Sequence, residues 1–499
     1  MAITLPTTNP KKILWDKSGL IAVLITTVIR IAIYDWLYKA NYFYGYSWDT
    51  FSRTYLSYLW FQKPFLFTPG GGYWLPFQFW IVGITYKFLS PLNLGAEILV
   101  PVVINNFFFL GTLFVIYKIA FRMGGRTTGL LACVLVSIFS EDIFTSYSAF
   151  SEPIWCFFIL LAAYYTHEYI NKDYEKRTLT ALILSVIAFL AATTHYIGWF
   201  LMAFVCLLFI PTVVKLIYDK ENHQQQIIGV LLMWFFMLIV PFGWLLRSYI
   251  VFDDFLHPFH SAAQYQQGYI GQMPILERML IPISTLFGNY TAAAWGGLLC
   301  IIFWAIKKPG ILTYLSGVLF IFFGLWLTTI MAYSAPYQEP RYFVFLILGL
   351  FPLIAYTLSY IWSNFAVIGK TVSIALFLVY VISNSYQVYT YKNYFGPDVP
   401  QTAKQSLLFL QKNPEKSVVI LETDSFAEQT VIPITGKYFW KYEHVTAEEI
   451  SQSSDNLSNY FKGFARNWLG IIKSKEIADR ARAQGLNVDQ IGSYYLISP

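Results

Sequence analysis

Long apolar runs recur along the first four fifths of the chain, separated by short polar stretches. They lie at Gly19 to Leu37, Leu94 to Phe121, Thr127 to Phe144, Pro153 to Ile170, Leu179 to Ala192 and Ile197 to Val214. Five more follow at Ile227 to Ile250, Ile283 to Ile306, Ile311 to Met331, Tyr342 to Trp362 and Thr371 to Tyr389. Runs of this length with few charges predict membrane-spanning helices, eleven in all. A shorter run, Tyr73 to Leu89, is ambiguous. From Tyr391 the pattern changes. Ser417 to Leu421, Gly470 to Ile472 and Tyr494 to Ile497 read as strands, Glu422-Thr423-Asp424 as a turn, and Leu457 to Trp468 and Glu476 to Gln484 as helices. The expected division is a membrane domain over 1–390 and a small α/β domain over 391–499.

Composition sharpens this. The 499 residues are 57% hydrophobic and 12% charged, against about 25% charged for a soluble protein. Disorder, collagen and a disulfide scaffold are excluded. The tail from Tyr391 carries 12 Lys+Arg and 12 Asp+Glu, so the net charge of +6 belongs to the membrane part. That excess reflects topology and implies no nucleic-acid partner. Cys133, Cys156, Cys206 and Cys300 sit in apolar runs without metal-ligand spacing. Lys11 and Lys12 precede the first run, and no small-residue cleavage site follows it, which reads as a signal anchor with its N-terminus inside.

Charge then orients the helices. Basic clusters occur at Lys118/Arg122/Arg126, Lys172/Lys176/Arg177, Lys215/Lys220, Lys307/Lys308 and Lys370. If Tyr73 to Leu89 does not cross, all of them fall on the inside with Lys11 and Lys12. That segment is then an outer juxtamembrane or re-entrant helix, and the tail lies outside. Asp49, Glu141, Asp142, Glu152, Asp253, Asp254, Glu277 and Glu339 fall at the outer face, beside long loops over Asn41 to Gly72 and Val251 to Pro282. The expected location is a cell membrane, or the ER membrane in a eukaryote.

Several outer residues suit chemistry. Asp49, in Tyr46-Ser47-Trp48-Asp49-Thr50, places a carboxylate at the membrane surface, where it suits a general base; a helix cap is the plainer alternative. Arg53, four residues on, is spaced to pair with it on a helix. Glu152 precedes Pro153, also an ordinary helix start. Glu141, Asp142 and Glu152 have the hard oxygens to share a divalent cation such as Mg²⁺ or Mn²⁺, or are simply interface residues. His195, His257 and His260 suit hydrogen bonding to phosphate better than metal binding, since Pro258 separates the last two. Arg341, in Gln338-Glu339-Pro340-Arg341-Tyr342, offers fixed donors to phosphate oxygens unless Glu339 neutralises it. Arg247 lies at the outer end of its helix.

Asp49, Trp74-Leu75-Pro76, Ser151-Glu152, Tyr196 with Gly198, and Arg341-Tyr342 together resemble the GT-C glycosyltransferase superfamily. The nearest likeness is to its protein-mannosyltransferase-like and aminoarabinose-transferase-like branch. The resemblance implies a polyprenyl-phosphate-linked sugar donor, an inverting single displacement, an acceptor hydroxyl on lipid, glycan or protein, and Asp49 as the catalytic carboxylate. The expected substrate-binding residues are Glu152, His195, Tyr196, Arg341, Tyr342, Arg247, His257 and His260. Relatives often carry Arg-Tyr-Glu-Gly where this chain has His195-Tyr196-Ile197-Gly198, and a second acid where it has Thr50. The competing class is a transporter or lipid flippase, for which Arg30 and Asp35 are the ionisable groups within a span.

Overall fold

The computed structural model describes residues 17–39, 48–67, 74–89, 99–171, 177–218, 224–270, 273–332, 340–391, 417–422, 442–452, 456–465, 467–491 and 494–499, with isolated positions from 402 to 412. The helices of the membrane part are α1 (Lys17–Lys39), α2 (Trp48–Gln62), α3 (Phe77–Leu89), α4 (Leu99–Ser137), α5 (Ser140–Ser146), α6 (Glu152–Asn171), α7 (Arg177–Thr194) and α8 (Ile197–Tyr218). They continue with α9 (Gln224–Phe252), α10 (His257–Tyr269), α11 (Ile275–Asn289), α12 (Thr291–Lys307), α13 (Ser316–Ile330), α14 (Val344–Asn364) and α15 (Ala366–Tyr391). Short 3₁₀ turns at Pro309–Tyr314 and Pro340–Phe343 lead into α13 and α14.

Seven helices among the described residues are long and apolar enough to cross a membrane, or eight if the bent pair α11–α12 is one span. Eleven crossings were expected, and three features account for the difference. α4 folds back on itself at Gly125 (φ 79°, ψ −164°). Its two arms lie side by side: the Cys133 thiol donates to the Leu113 carbonyl at 3.9 Å, and a Cβ on Gly129 would sit 2.7 Å from the Tyr117 ring. The expected runs Leu94 to Phe121 and Thr127 to Phe144 are these two arms. α6 has 20 residues, but Glu152, His167 and Glu168 lower its hydropathy. α13 is a 15-residue helix. The run Ile283 to Ile306 is corrected: it is not one straight helix, because the chain bends by 109° between α11 and α12.

Contacts sort these elements between two ends. One end gathers Asp49, Glu152 and Arg341. The other gathers Arg122 with Glu168, His167 with Thr313 at 2.6 Å, Lys307 with Tyr360 at 3.2 Å and Lys308 with Tyr356 at 3.0 Å. α6 reaches both ends, with Glu152 at one and Glu168 at the other, as does the path from Arg341 through α14 to Tyr360. α3 stays at the first end. Its 13 residues reach about 20 Å, short of the roughly 30 Å hydrocarbon core. Of the two expected outer loops, the first contains α2 and the second α10 and α11.

Arg30 ties α1 to this frame. Its guanidinium donates to Asp142 Oδ2 at 2.5 Å, the Val136 carbonyl at 3.0 Å and Ser146 Oγ at 3.1 Å, and lies over the Phe109 ring at 4.1 Å. Both charged side chains are 2% exposed. Asp35 instead pairs with Lys39 in the open.

The tail is a five-stranded sheet of β1 (Ser417–Glu422), β2 (Tyr442–Val445), β3 (Asn467–Ile472), β4 (Asn487–Ile491) and β5 (Tyr494–Ser498), in the order β2-β1-β3-β5-β4. β1 pairs in parallel with β2 and β3, and β5 pairs antiparallel with β3 and β4. Three short helices, α16 (Ala447–Gln452), α17 (Leu457–Lys462) and α18 (Lys475–Ala483), complete it. Leu457, Phe461, Ile477 and Ala481 cover Ile420, Trp468, Ile472 and Ile497. The expected helix Leu457 to Trp468 is corrected: it stops at Lys462, and Trp468 is a buried strand residue. Thr423 and Asp424 lie outside the described residues.

Two variants test this frame by thermal unfolding in detergent. Gly125 occupies a backbone region open only to glycine, so Gly125→Ala should cost about 1–3 kcal/mol, although a Cβ there meets nothing within 4 Å. An unchanged midpoint would mean that the turn relaxes freely. Asp142→Ala strands the buried Arg30 charge and should cost about 3–5 kcal/mol, while Arg30→Met with Asp142→Leu should recover most of that. Equal losses in the single and double variants would refute the pairing argument.

Candidate active site

The site starts from three helix ends. α2 begins at Trp48–Asp49, and its first turn presents Asp49. α6 begins at Glu152, with Pro153 at a position whose missing N–H costs nothing; the Ser151 carbonyl accepts from Ile154 and Trp155 N–H at 3.1 and 3.2 Å. Arg341 sits in the 3₁₀ turn that leads into α14. The fold brings these distant points together: Arg341 Nη2 donates to Asp49 Oδ2 at 2.5 Å, and Arg341 Nε lies 3.3 Å from Glu152 Oε1. Arg341 and Glu152 are buried, whereas Asp49 keeps 26% of its side chain exposed. The guanidinium rests 4.1 Å above the Phe150 ring and 5.5 Å from that of Tyr342.

A second guanidinium supports the first. Arg53 is one turn beyond Asp49 on α2, but its Nη1 donates to Gln78 Oε1 on α3 at 2.8 Å, and its charge lies over the Trp74 ring at 4.9 Å. The Gln78 amide donates in turn to the carbonyls of Ala149 and Phe150 at 2.7 and 3.1 Å. Asn105 in α4 donates to those of Ser148 and Phe150 at 2.6 and 2.8 Å. These amides fasten the turn that carries Glu152 to the helix that carries Asp49. Sequence reasoning missed Gln78 and Asn105 as site residues. Their signal is an amide within an apolar helix, alone at Gln78 and paired with Asn106 at Asn105, where burial demands partners.

His195 occupies the tight turn between α7 and α8. Gly198 is required there, since a Cβ would lie 2.1 Å from the Ala191 carbonyl. The His195 ring stacks on Trp155 at 5.6 Å and meets Tyr342 at 5.7 Å. Burial, with the positive charges of Arg53 and Arg341, pushes its pKa down to about 3. It is therefore neutral at pH 7 and brings no positive charge. The Ile197 N–H donates to its Nδ1 at 3.2 Å, which leaves Nε2 as the protonated donor. For Asp49, burial pushes the pKa up, but Arg341 and Arg53 outweigh it and hold the group below the ordinary carboxylate value.

The other sequence-derived residues divide. Tyr342 belongs to the cluster. Tyr196 borders it, accepting a hydrogen bond from Trp244 at 2.9 Å. Arg247 stacks over Trp244 and Phe252, His257 over Phe252 at 3.8 Å, and His260 pairs with Asp254 at 2.8 Å. These three form a neighbouring group on α9 and α10. Glu141, Asp142 and Glu152 are not brought together as a cation site: Asp142 is turned to Arg30 and Glu152 to Arg341. Among the described residues, no three His, Cys, Asp or Glu side chains gather at metal-holding range. Glu339 lies outside the described residues. Thr50 Oγ1, Arg53 Nε, Ser151 Oγ and Glu152 Oε2 are buried without a hydrogen-bond partner among the described residues. Unsatisfied polar atoms around paired charges mark a place suited to a polar ligand.

Comparison with known proteins bears on the fold that carries this site. Residues 94–256, which include Glu152 and His195, match the family described as dolichyl-phosphate-mannose-protein mannosyltransferase. No curated protein matches the chain in sequence. Among solved structures, ArnT from Cupriavidus metallidurans bound to undecaprenyl phosphate is similar, with a TM-score of 0.62 at 10% identity, covering 95% of this chain and 97% of that one. The archaeal oligosaccharyltransferase AglB from Archaeoglobus fulgidus, in complex with an inhibitory peptide and a dolichol-phosphate, is similar with a TM-score of 0.52 at 10% identity, over 93% of this chain and 70% of that one. The chain thus has a polytopic membrane fold similar to the GT-C fold of ArnT and AglB, with a protein-mannosyltransferase-type segment over residues 94–256.

Proposed function

We propose that this protein transfers a sugar from a polyprenyl-phosphate-linked donor to an acceptor hydroxyl, with inversion at the anomeric carbon. The observation that carries the reading is the Arg341 bridge between Asp49 and Glu152, ringed by unsatisfied polar atoms at one end of a membrane bundle. The family match over 94–256 supports sugar transfer. The lipid phosphates bound by the two similar structures support the donor class. In this reading the acceptor oxygen attacks the anomeric carbon and its proton passes to Asp49. The bond from that carbon to the phosphate oxygen breaks, and the electron pair leaves with the phosphate. Arg341 and Arg53 stabilise the charge that develops there, and neutral His195 donates a hydrogen bond from Nε2.

The ion pair gives the reaction an order. While Arg341 neutralises Asp49, the carboxylate is a weak base. A donor phosphate competes for the same guanidinium and so raises the basicity of Asp49 as it binds. A flippase reading finds less support, because Arg30 is closed into its own network.

Asp49→Asn removes the proton acceptor at nearly constant shape. It should lower transfer at least about 100-fold, with insertion intact and polyprenyl phosphate bound as well as or better than by the wild type. Transfer within a few-fold of wild type would move the base to Glu152. The pH dependence follows in sign. With its pKa held below the ordinary 3.8, Asp49 contributes stability that is present above that value and lost as pH falls through the lower folded value. His195 should add no inflection to the rate between about pH 5 and 8.

We further propose that the site end and the tail face outward from a cell membrane (the ER lumen in a eukaryote), with the N-terminus inside. Arg122, Lys307 and Lys308 lie at the opposite end, which supports this orientation. A cysteine introduced at the exposed Asp489, with the four native cysteines replaced, should react with an impermeant thiol reagent in intact cells. Protection until lysis would invert the orientation.

A further inference from the structure

We propose that the end of the bundle opposite Asp49 holds one anionic phospholipid, in a slot between the α4 turn, α14 and α15. The slot is a cavity of about 740 Å³. Its floor is apolar, with Leu131 and Phe377, and its walls are polar, with Thr128, Ser359 and the rings of Tyr356 and Tyr360. Neither Asp nor Glu lines it among the described residues. Ser359 Oγ is buried without a partner among the described residues. That amphipathic lining fits a molecule with an acyl chain and a polar head, and a soluble anion would have no use for the floor.

Charge selects the head. Lys308 Nζ donates to the Tyr356 hydroxyl at 3.0 Å and Lys307 Nζ to that of Tyr360 at 3.2 Å. Lys370 Nζ lies 5.8 Å from the Trp362 ring, another wall of the cavity. Three ammonium groups therefore lie against residues that line the slot. Each carries three donors, so a bond to a tyrosine leaves protons for a phosphate. Depth agrees as well. The turn between α14 and α15 exposes Phe365, Val367 and Ile368 at 55%, 76% and 77%, as a segment seated in the headgroup boundary does. Arg341 and Tyr360 are 19 residues apart on one helical path, about 28 Å at 1.5 Å per residue. The slot is thus separated from the candidate active site by the thickness of a bilayer core. The proposal rests on the membrane reading and is independent of the sugar-transfer reaction.

The test uses the full chain in detergent, with phosphatidylglycerol and phosphatidylcholine of identical acyl chains added at equal concentration, and reads retained lipid by native mass spectrometry. Phosphatidylglycerol should be retained preferentially. Lys307→Gln with Lys308→Gln should lower its retention at least about tenfold, with phosphatidylcholine unchanged. Ile374→Trp, which fills the slot and keeps the lysines, should lower it too. Equal retention of the two lipids by the wild type, or full retention of phosphatidylglycerol by the lysine double variant, overturns the proposal. Displacement by glycerol phosphate at equal concentration also overturns it, in favour of a headgroup-only anion site.

Discussion

The Arg341 guanidinium is the contact on which the site end of this bundle depends. It joins a carboxylate from the first turn of α2 to one from the first turn of α6, and it enters from a third point nearly two hundred residues further on. A buried guanidinium of this kind is costly unless its donors are matched. Here they are matched by two acids, with the Phe150 ring beneath. The arrangement fixes Asp49 as an anion and yet leaves it part-open, while the adjacent polar atoms remain unsatisfied. A contact that is strong in the resting protein and that a phosphate can contest is a physical basis for coupling donor binding to base strength.

Around that contact the molecule keeps its charges at opposite ends. Asp49, Glu152 and the two site arginines lie at one end, Lys307, Lys308 and the Arg122–Glu168 pair at the other, and Arg30 with Asp142 is a closed pair. Such separation has two consequences. It supports the proposed orientation in the membrane, and it supports the proposed anionic-lipid slot at the lysine end.

Several features were legible because burial writes itself into sequence. Apolar runs of spanning length located most of the helices, and the central strands β1, β3 and β5 appeared as short apolar runs. β2 and β4 were missed because they are the two edges of the sheet; in β4, Asn487, Asp489 and Gln490 face solvent, so no alternation betrays the strand. The bend before α12 was missed for the opposite reason: both sides of it are apolar, and hydropathy does not register direction. The turn at Gly125 lies among basic residues and did separate two runs.

Among the site residues, Asp49, Glu152, His195, Arg341 and Tyr342 were legible as polar groups at the ends of apolar runs, and the fold brings them together. The sequence by itself determined a multi-pass helical protein, a charge asymmetry, a small α/β tail and a set of polar residues at the ends of apolar runs. Spacing along the chain suggested Arg53 as the partner of Asp49. Tertiary structure instead set Arg341 there, turned Arg53 to Gln78, and gave Asp142 to Arg30. Only the packing of helices distant in sequence decides which buried charges meet, because each must find its counter-charge in three dimensions once water is gone.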